Sequence, residues 1–537
     1  MSRALAVFLL ALAYFGVMMP WGVFQDPDAF YHAHAALLLW RDGPLLAFPW
    51  LDLTTLGASY ADHHVLFHAV QAPFVAWLGW ATGSRVSSVL LAAGCMATLY
   101  ACLRWLGLRY APAWTALTAL SQPLATRLML GKASPLAIAL FVLGMAAAWR
   151  RAPAVAFAAG VLFALAHGGS IFLLGSVVLL ACGEVVYRHV VEDAPWRIAF
   201  RAAPWRETLA VAGGIAFGTA AHPNFPENLA FLWVQVVTIG LGTPLDRVVM
   251  GNEWLPSGPG AVFGSFAPWF LALLLGLAGL LFAPRDFMKK NLPIGKKVVT
   301  GDGKGEGDGE RVGDGRRDAM AAAVAFALPV AVLLALTFKS RRIAEYLVPA
   351  LALWIPWLWQ MTDVRMFAVA LGQGYSFRMR RVVYAVLALA LVATVARGTY
   401  GAYDALHTGG YRDDIWQEEM AAVSALADPG DRVFHSDWDE FPVLWNLDDR
   451  LRYVAGLDPT FLLVAASTLS DAYRDLTWGR TSSTPDGAWD LIHGRLGARF
   501  VFVDLRDHRS LADLLKGDGR YTLLLETGDG VAFEIRP

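Results

Sequence analysis

Two carboxylates stand one residue apart in the segment Asp26-Pro27-Asp28-Ala29-Phe30-Tyr31-His32-Ala33-His34. A carboxylate at the start of a helix, beside the end of an apolar run, can take the proton from a hydroxyl. It can equally hold a divalent cation, Mg or Mn, that neutralises a leaving phosphate. Asp28 is also placed to cap a helix running to about Trp40, where Asp42-Gly43-Pro44 stops it. A cap needs no chemistry, and the sequence leaves both roles open for it. Phe30, Leu37 and Leu38 share one side of that helix, which suits a place in the membrane interface.

The same stretch closes with Tyr60-Ala61-Asp62-His63-His64-Val65-Leu66-Phe67-His68. Imidazoles beside a carboxylate suit a transition metal, or simply hydrogen bonding at an interface. Asp62, His63 and His64 join Tyr31 and His32 as site candidates, and His64 joins Asp26 and Asp28 as a candidate metal ligand. Neighbouring residues on a helix point in different directions, so His63 and His64 reach one site only if the backbone is irregular there.

Further along, Lys339-Ser340-Arg341-Arg342-Ile343-Ala344-Glu345-Tyr346 lies between two apolar runs. Arg341 and Arg342 can grip a phosphate bidentately or reach lipid head groups. Glu345 can pair with either or join a metal site. His167 lies within an apolar stretch, where an ionisable group is a functional candidate or a helix-packing residue. His222–Asn228 and Gly251–Pro256 are two more polar segments at the ends of apolar runs.

The elements that must position these groups are membrane spans. The chain has 537 residues, 56% hydrophobic and 17% charged, below the roughly 25% charge of soluble chains. Roughly eleven stretches approach the length that crosses a hydrocarbon core: 4–24, 65–82, 86–103, 111–127, 133–149, 152–182, 207–221, 261–283, 319–338, 346–362 and 382–397. The apolar run 229–245 reads as an interfacial or re-entrant segment or as a further span, which would change the parity, and 152–182 is interrupted at His167-Gly168-Gly169. Lys and Arg cluster in 184–206, 285–318 and 363–381, which the positive-inside rule puts in the cytoplasm together with the N-terminus. The loop 25–64 and the region from 398 onward are then extracytoplasmic. No other address is read, so the plasma (inner) membrane is the expected location. The formal net charge of −1 offers no global basic field for nucleic acid.

Residues 298–317, Gly-rich and highly charged, read as a disordered cytoplasmic linker within a membrane domain of residues 1–400. Residues 401–537 change character. Short strands are predicted near 431–435, 452–455, 499–504, 521–526 and 531–535, with helices near 413–426 and 486–496 between them. The fold class is a polytopic α-helical membrane protein with a C-terminal extracytoplasmic α/β domain.

This layout resembles the GT-C class of membrane glycosyltransferases, and within it the oligosaccharyltransferase catalytic subunits. Those carry Asp-Pro-x-x-x-Tyr just after the first span, matched here by Asp26, Pro27 and Tyr31, and a late loop with a Glu, matched by Arg341–Tyr346. No Trp-Trp-Asp is present; Ser436-Asp437-Trp438-Asp439 is a different element, which argues against Asn-x-Ser/Thr recognition. The resemblance implies inverting transfer from a polyprenyl-(di)phosphate sugar donor to a glycan, lipid or protein acceptor at the outer membrane surface. It implies Asp26, or failing that Asp28, as the base, and Arg341 and Arg342 as ligands of the leaving phosphate. A transporter or flippase of a lipid-linked glycan would instead need charged groups within spans. A non-catalytic membrane scaffold would leave the loop carboxylates dispensable.

Overall fold

The computed structural model describes residues 2–242, 247–281, 308–361, 377–479 and 484–536. Among them, four helices are long and apolar enough to cross a membrane: Trp80–Trp105, Ser170–Val190, Asp318–Lys339 and Ala385–His407. A fifth is added if Pro259–Ser265 and Ala267–Leu277, bent by 74°, form one broken span. The protein is thus a multi-pass membrane protein.

The other apolar stretches contain shorter helices, for identifiable reasons. Gly79, at φ +80°, ends Val65–Leu78 and lets Trp80–Trp105 start at once. The run 111–127 splits into Ala111–Ala119 and Gln122–Leu128, with Pro123 in the first turn of the second. The run 152–182 splits into Pro153–Ala166 and Ser170–Val190, because His167 is extended and two glycines follow. Part of 229–245 is a short helix, Glu227–Trp233, continued by a wide π turn over Val234–Gly242. Of the expected linker over 298–317, residues 298–307 lie outside the described residues; Asp308 onward belongs to the helix Asp308–Lys339. The basic segment 363–381 is described only from Phe377, and 285–307 not at all.

The helix Phe377–His407 carries the chain across residue 400. Beyond it lies a five-stranded mixed sheet. Its strands are β3 (Arg432–His435), β4 (Arg452–Tyr453), β5 (Phe500–Asp504), β6 (Tyr521–Glu526) and β7 (Gly530–Ile535), in the order β4-β3-β5-β7-β6. β3 runs parallel to β4 and β5, while β7 is antiparallel to both β5 and β6. The strands fall where the apolar runs predict them.

The first loop is clamped between the helices and this sheet. Its β1 (Val23–Phe24) pairs antiparallel with β2 (Tyr411–Arg412). Asp52 accepts from Arg432 at 2.8 Å and from Arg452 at 3.0 Å. Tyr31 stacks on Trp445, and Phe48 packs between Trp445 and Tyr60. Below, the buried Arg85 of Trp80–Trp105 forms a two-pronged ion pair with Asp413 at 2.5 and 2.9 Å. The loop therefore has a fixed shape, which a site built on it requires.

Candidate active site

A cavity of about 580 Å³ opens where the first loop, the ends of several helices and the C-terminal sheet region meet. The helix Asp28–Asp42 begins on its wall. Asp26 Oδ1 accepts from the backbone N–H of Asp28 at 3.0 Å, so Asp26 makes the turn that starts the helix. The expectation that Asp28 serves as a cap is corrected: Asp28 is the first helical residue and makes no capping bond. Its carboxylate instead faces Lys132.

Lys132 Nζ lies 2.7 Å from Asp26 Oδ2 and 2.7 Å from Asp28 Oδ2. Gly131, at φ +73°, makes this possible. A side chain there would run into Ala29, so only glycine lets the loop lie against the helix start. Burial raises the Asp28 carboxyl above its ordinary value; Lys132 opposes this and Asp26 adds to it. Two carboxylates and one ammonium leave one net negative charge.

The neighbouring wall carries two guanidiniums, each paired with a carboxylate. Glu253 sits between Arg127, 2.5 Å away, and Arg342, 2.7 Å away. Burial alone would raise its carboxyl, but Arg342, Arg127 and Lys132 hold it well below the usual range. The Arg342 guanidinium covers the Trp254 ring at 5.1 Å, a cation–π contact that fixes its plane. Arg127 also reaches Glu345 at 3.1 Å, and Ser134 donates to the same carboxylate oxygen at 3.2 Å. Glu345 is buried behind Arg127 and pairs with it, not with Arg341 or Arg342. Arg341 is exposed and does not line the cavity; one residue along, Arg342 does.

The second half of the loop supplies imidazoles. The helix Val65–Leu78 starts only after His64, whose backbone is not helical. The irregular turn puts both His63 and His64 on the cavity wall, ring centroids 3.8 Å apart, which regular helical geometry would forbid. His63 stacks on Phe231, and His64 Nδ1 bonds the Ala166 carbonyl at 3.1 Å. His167, in the break between two helices, lies 3.5 Å from Arg342 through Nε2. Tyr31 shares a 2.9 Å hydrogen bond with Tyr60. Behind them, His32 Nδ1 bonds His68 Nε2 at 2.8 Å, and His68 Nδ1 bonds Asp62 Oδ2 at 2.7 Å. Asp62 is buried and does not itself line the cavity.

The metal set Asp26, Asp28 and His64 does not fit a Mg or Mn ion in this arrangement. The Lys132 ammonium takes the position between the carboxylates. Among the described residues, no group of three His, Cys, Asp or Glu is arranged to hold a metal ion.

The far wall comes from the C-terminal region: Asp437, Trp438, Asp439, Asp458, Trp478 and Asp507. Burial pushes the Asp458 carboxyl up to about 6. Sequence pattern singles out neither these residues nor Arg127 and Lys132. For the last two a signal exists: lone cations beside Gly131 in a short break between apolar runs, where ionisable residues are functional by default.

No family model matches the sequence, and no curated protein matches it. Solved structures do match. Arabinofuranosyltransferase AftD from Mycobacteria aligns with 100% of this chain at TM-score 0.58 and 14% identity, and a mutant form of it at TM-score 0.56 and 14% identity. This chain spans 40% and 42% of those two chains. ArnT from Cupriavidus metallidurans, in the apo state, aligns with 98% of this chain and 97% of its own at TM-score 0.46 and 14% identity. The chain thus has the fold of the GT-C membrane glycosyltransferases, the class that the Asp26-Pro27-x-x-x-Tyr31 element resembles.

Proposed function

We propose that this protein is an inverting membrane glycosyltransferase that moves a sugar or glycan from a polyprenyl-phosphate or -diphosphate donor to an acceptor hydroxyl. The observation that carries the reading is the Asp26–Lys132–Asp28 cluster facing Arg127 and Arg342 across one cavity. Carboxylates able to take a proton, beside guanidiniums able to bind a phosphate, are what glycosyl transfer from such a donor needs.

In this reading Arg342, Arg127 and Lys132 bind the donor phosphate, and the polyprenyl tail lies against the apolar helices. The acceptor oxygen attacks the anomeric carbon from the side opposite the phosphate. Its proton goes to Asp28, the new C–O bond forms, and the old C–O electron pair leaves on the phosphate. Asp26 is the weaker candidate for the base, since Oδ1 is engaged with the Asp28 backbone and Oδ2 with Lys132. The cavity faces the outside of the membrane in this proposal, in keeping with the basic loops assigned to the cytoplasm. The indoles and carboxylates of the C-terminal wall shape the acceptor side.

The test is transfer of radiolabelled sugar by the purified protein from a panel of polyprenyl-phosphate and -diphosphate donors, comparing wild type with Asp28→Asn. Transfer that is lost in the variant supports the reading. Wild-type activity retained in Asp28→Asn sinks the assigned base.

A further inference from the structure

We propose that Asp62, His68 and His32 form a proton relay whose outlet, His32 Nε2, takes up the proton that glycosyl transfer releases into the cavity. The proposal rests on the glycosyl-transfer reading above. The hydrogen-bond order on which it is built does not.

That order follows from the partners. A carboxylate only accepts, so His68 Nδ1 carries the hydrogen and donates to Asp62 Oδ2 at 2.7 Å. In a neutral ring His68 Nε2 is then bare, and accepts from His32 Nδ1–H at 2.8 Å. His32 is left with a bare Nε2. Among the described residues nothing hydrogen-bonds that nitrogen, and His32 lines the cavity one helical turn after Asp28. All three members are buried, at 4% exposure or less. The carboxylate end is fixed from behind: Asp62 N–H donates to Asn224 Oδ1 at 3.2 Å, and His222 Nε2 donates to the Asp62 carbonyl at 2.9 Å. Nothing in Asp28's chemistry with Lys132 uses this chain.

The step balances without a co-reactant. The acceptor's proton, first on Asp28, passes through solvent in the cavity to His32 Nε2. His32 releases its Nδ1 proton to His68 Nε2, the Asp28 carboxylate is restored, and the reverse shift returns the proton through His32 Nε2 to solvent before the next turnover. Between the two shifts His32 is neutral, in the other tautomer. The positive charge rests on His68, against the Asp62 carboxylate. The surroundings favour this division. His63 and His64 from the end of the first loop, His68 from the adjacent helix and Lys132 beside Asp28 all disfavour a charge on His32. Burial and those neighbours hold its ring well below the ordinary histidine value. Burial would raise Asp62, but His68 and the His64 backbone keep its carboxyl below the ordinary range. In this scheme His32 is the proton acceptor, and His68 and Asp62 are positioning residues.

The test is a ¹⁵N NMR pH titration of the full-length protein, histidine-labelled and held in lipid nanodiscs. His32→Gln and His68→Gln assign the two rings. Before acidification both rings should carry their hydrogen on Nδ1, with bare Nε2. On acidification His32 should change tautomer in the same step that charges His68. In Asp62→Asn, which keeps an acceptor for His68 but loses the charge, that step should move down by about one pH unit or more. A His32 ring that already carries Nε2–H before acidification, or that becomes charged itself, overturns the relay whatever the protein's activity. With a donor from the panel that wild type uses, Asp62→Asn should lower the plateau rate about tenfold and move the acid limb of the pH–rate profile down. A lower plateau with an unmoved limb means a structural role and overturns the proton transfer. If wild type transfers from no donor, the glycosyl-transfer reading fails; the tautomer switch then still supports the relay.

Discussion

Lys132 stands 2.7 Å from Asp28, and the same ammonium stands 2.7 Å from Asp26. Removing it would leave two half-buried carboxylates side by side, each disfavouring the charge of the other. Lys132→Met should therefore lower transfer by about 100-fold, the scale of losing one preorganised charge in a site. Lys132→Arg should recover part of that loss. Initial rates for the two variants against wild type decide it, and equal rates would remove the cluster from the mechanism.

Asp26 and Asp28 should separate on substitution. Asn at 26 can still accept from the Asp28 backbone, so Asp26→Asn keeps the helix start. Its rate should fall only several-fold, through the altered charge balance. Asp28→Asn removes the proposed base and should cost about 10²–10⁴ in rate, the range for general base catalysis. Thermal unfolding in detergent should be nearly the same for both variants. A larger loss at 26 than at 28 reverses the assignment.

Arg341 and Arg342 offer a control on the donor site. Arg342 reaches Glu253 and Trp254 on the cavity wall, while Arg341 is exposed outside it. Arg342→Ala should raise the KM for donor about tenfold or more, as loss of a charge-assisted phosphate contact does. Arg341→Ala should stay within about twofold of wild type, as surface changes usually do. The two KM values, measured with the same donor, are the check.

Local pattern makes part of this site legible in the sequence. Asp26, Asp28 and Tyr31 stand out through their spacing after an apolar run, and the strands of the C-terminal sheet through alternation and turn residues. Arg342 stands out too, but its neighbour Arg341 does so equally, because a short 3₁₀ turn over Arg341–Ile343 decides which of the two turns inward. Arg127 and Lys132 stay hidden because hydropathy treats a break between apolar runs as an ending, not as a wall of a site. The pairing of His32 with His68 joins a loop helix to the next span, and a one-dimensional pattern does not carry it. The shortness of several helices has a local cause, Gly79 and the His167-Gly168-Gly169 break, but where a tolerated glycine ends a helix is set by what packs there.

The C-terminal region should have a stability that depends on pH through His508. Its Nδ1 donates to the Thr477 carbonyl at 2.8 Å, and its Nε2 lies 3.7 Å from Asp437 Oδ2. Burial alone would lower its pKa; the nearby carboxylates of Asp437 and Glu440 outweigh this and raise it to about 9, from an ordinary 6.5. A folded-state value above the unfolded one means that the folded chain binds the proton more tightly. The stabilisation is therefore complete below about pH 6.5 and disappears as the pH rises through about 9. Its size is on the order of 3–4 kcal/mol, because each tenfold gain in proton affinity is worth roughly 1.4 kcal/mol. The midpoint of thermal unfolding of the full chain in detergent should accordingly fall between pH 6 and pH 9.5. His508→Gln, which cannot take the proton, should be less stable than wild type at pH 6 and lose little more on going to pH 9.5. If the variant and wild type fall in parallel across that window, His508 is not the group responsible.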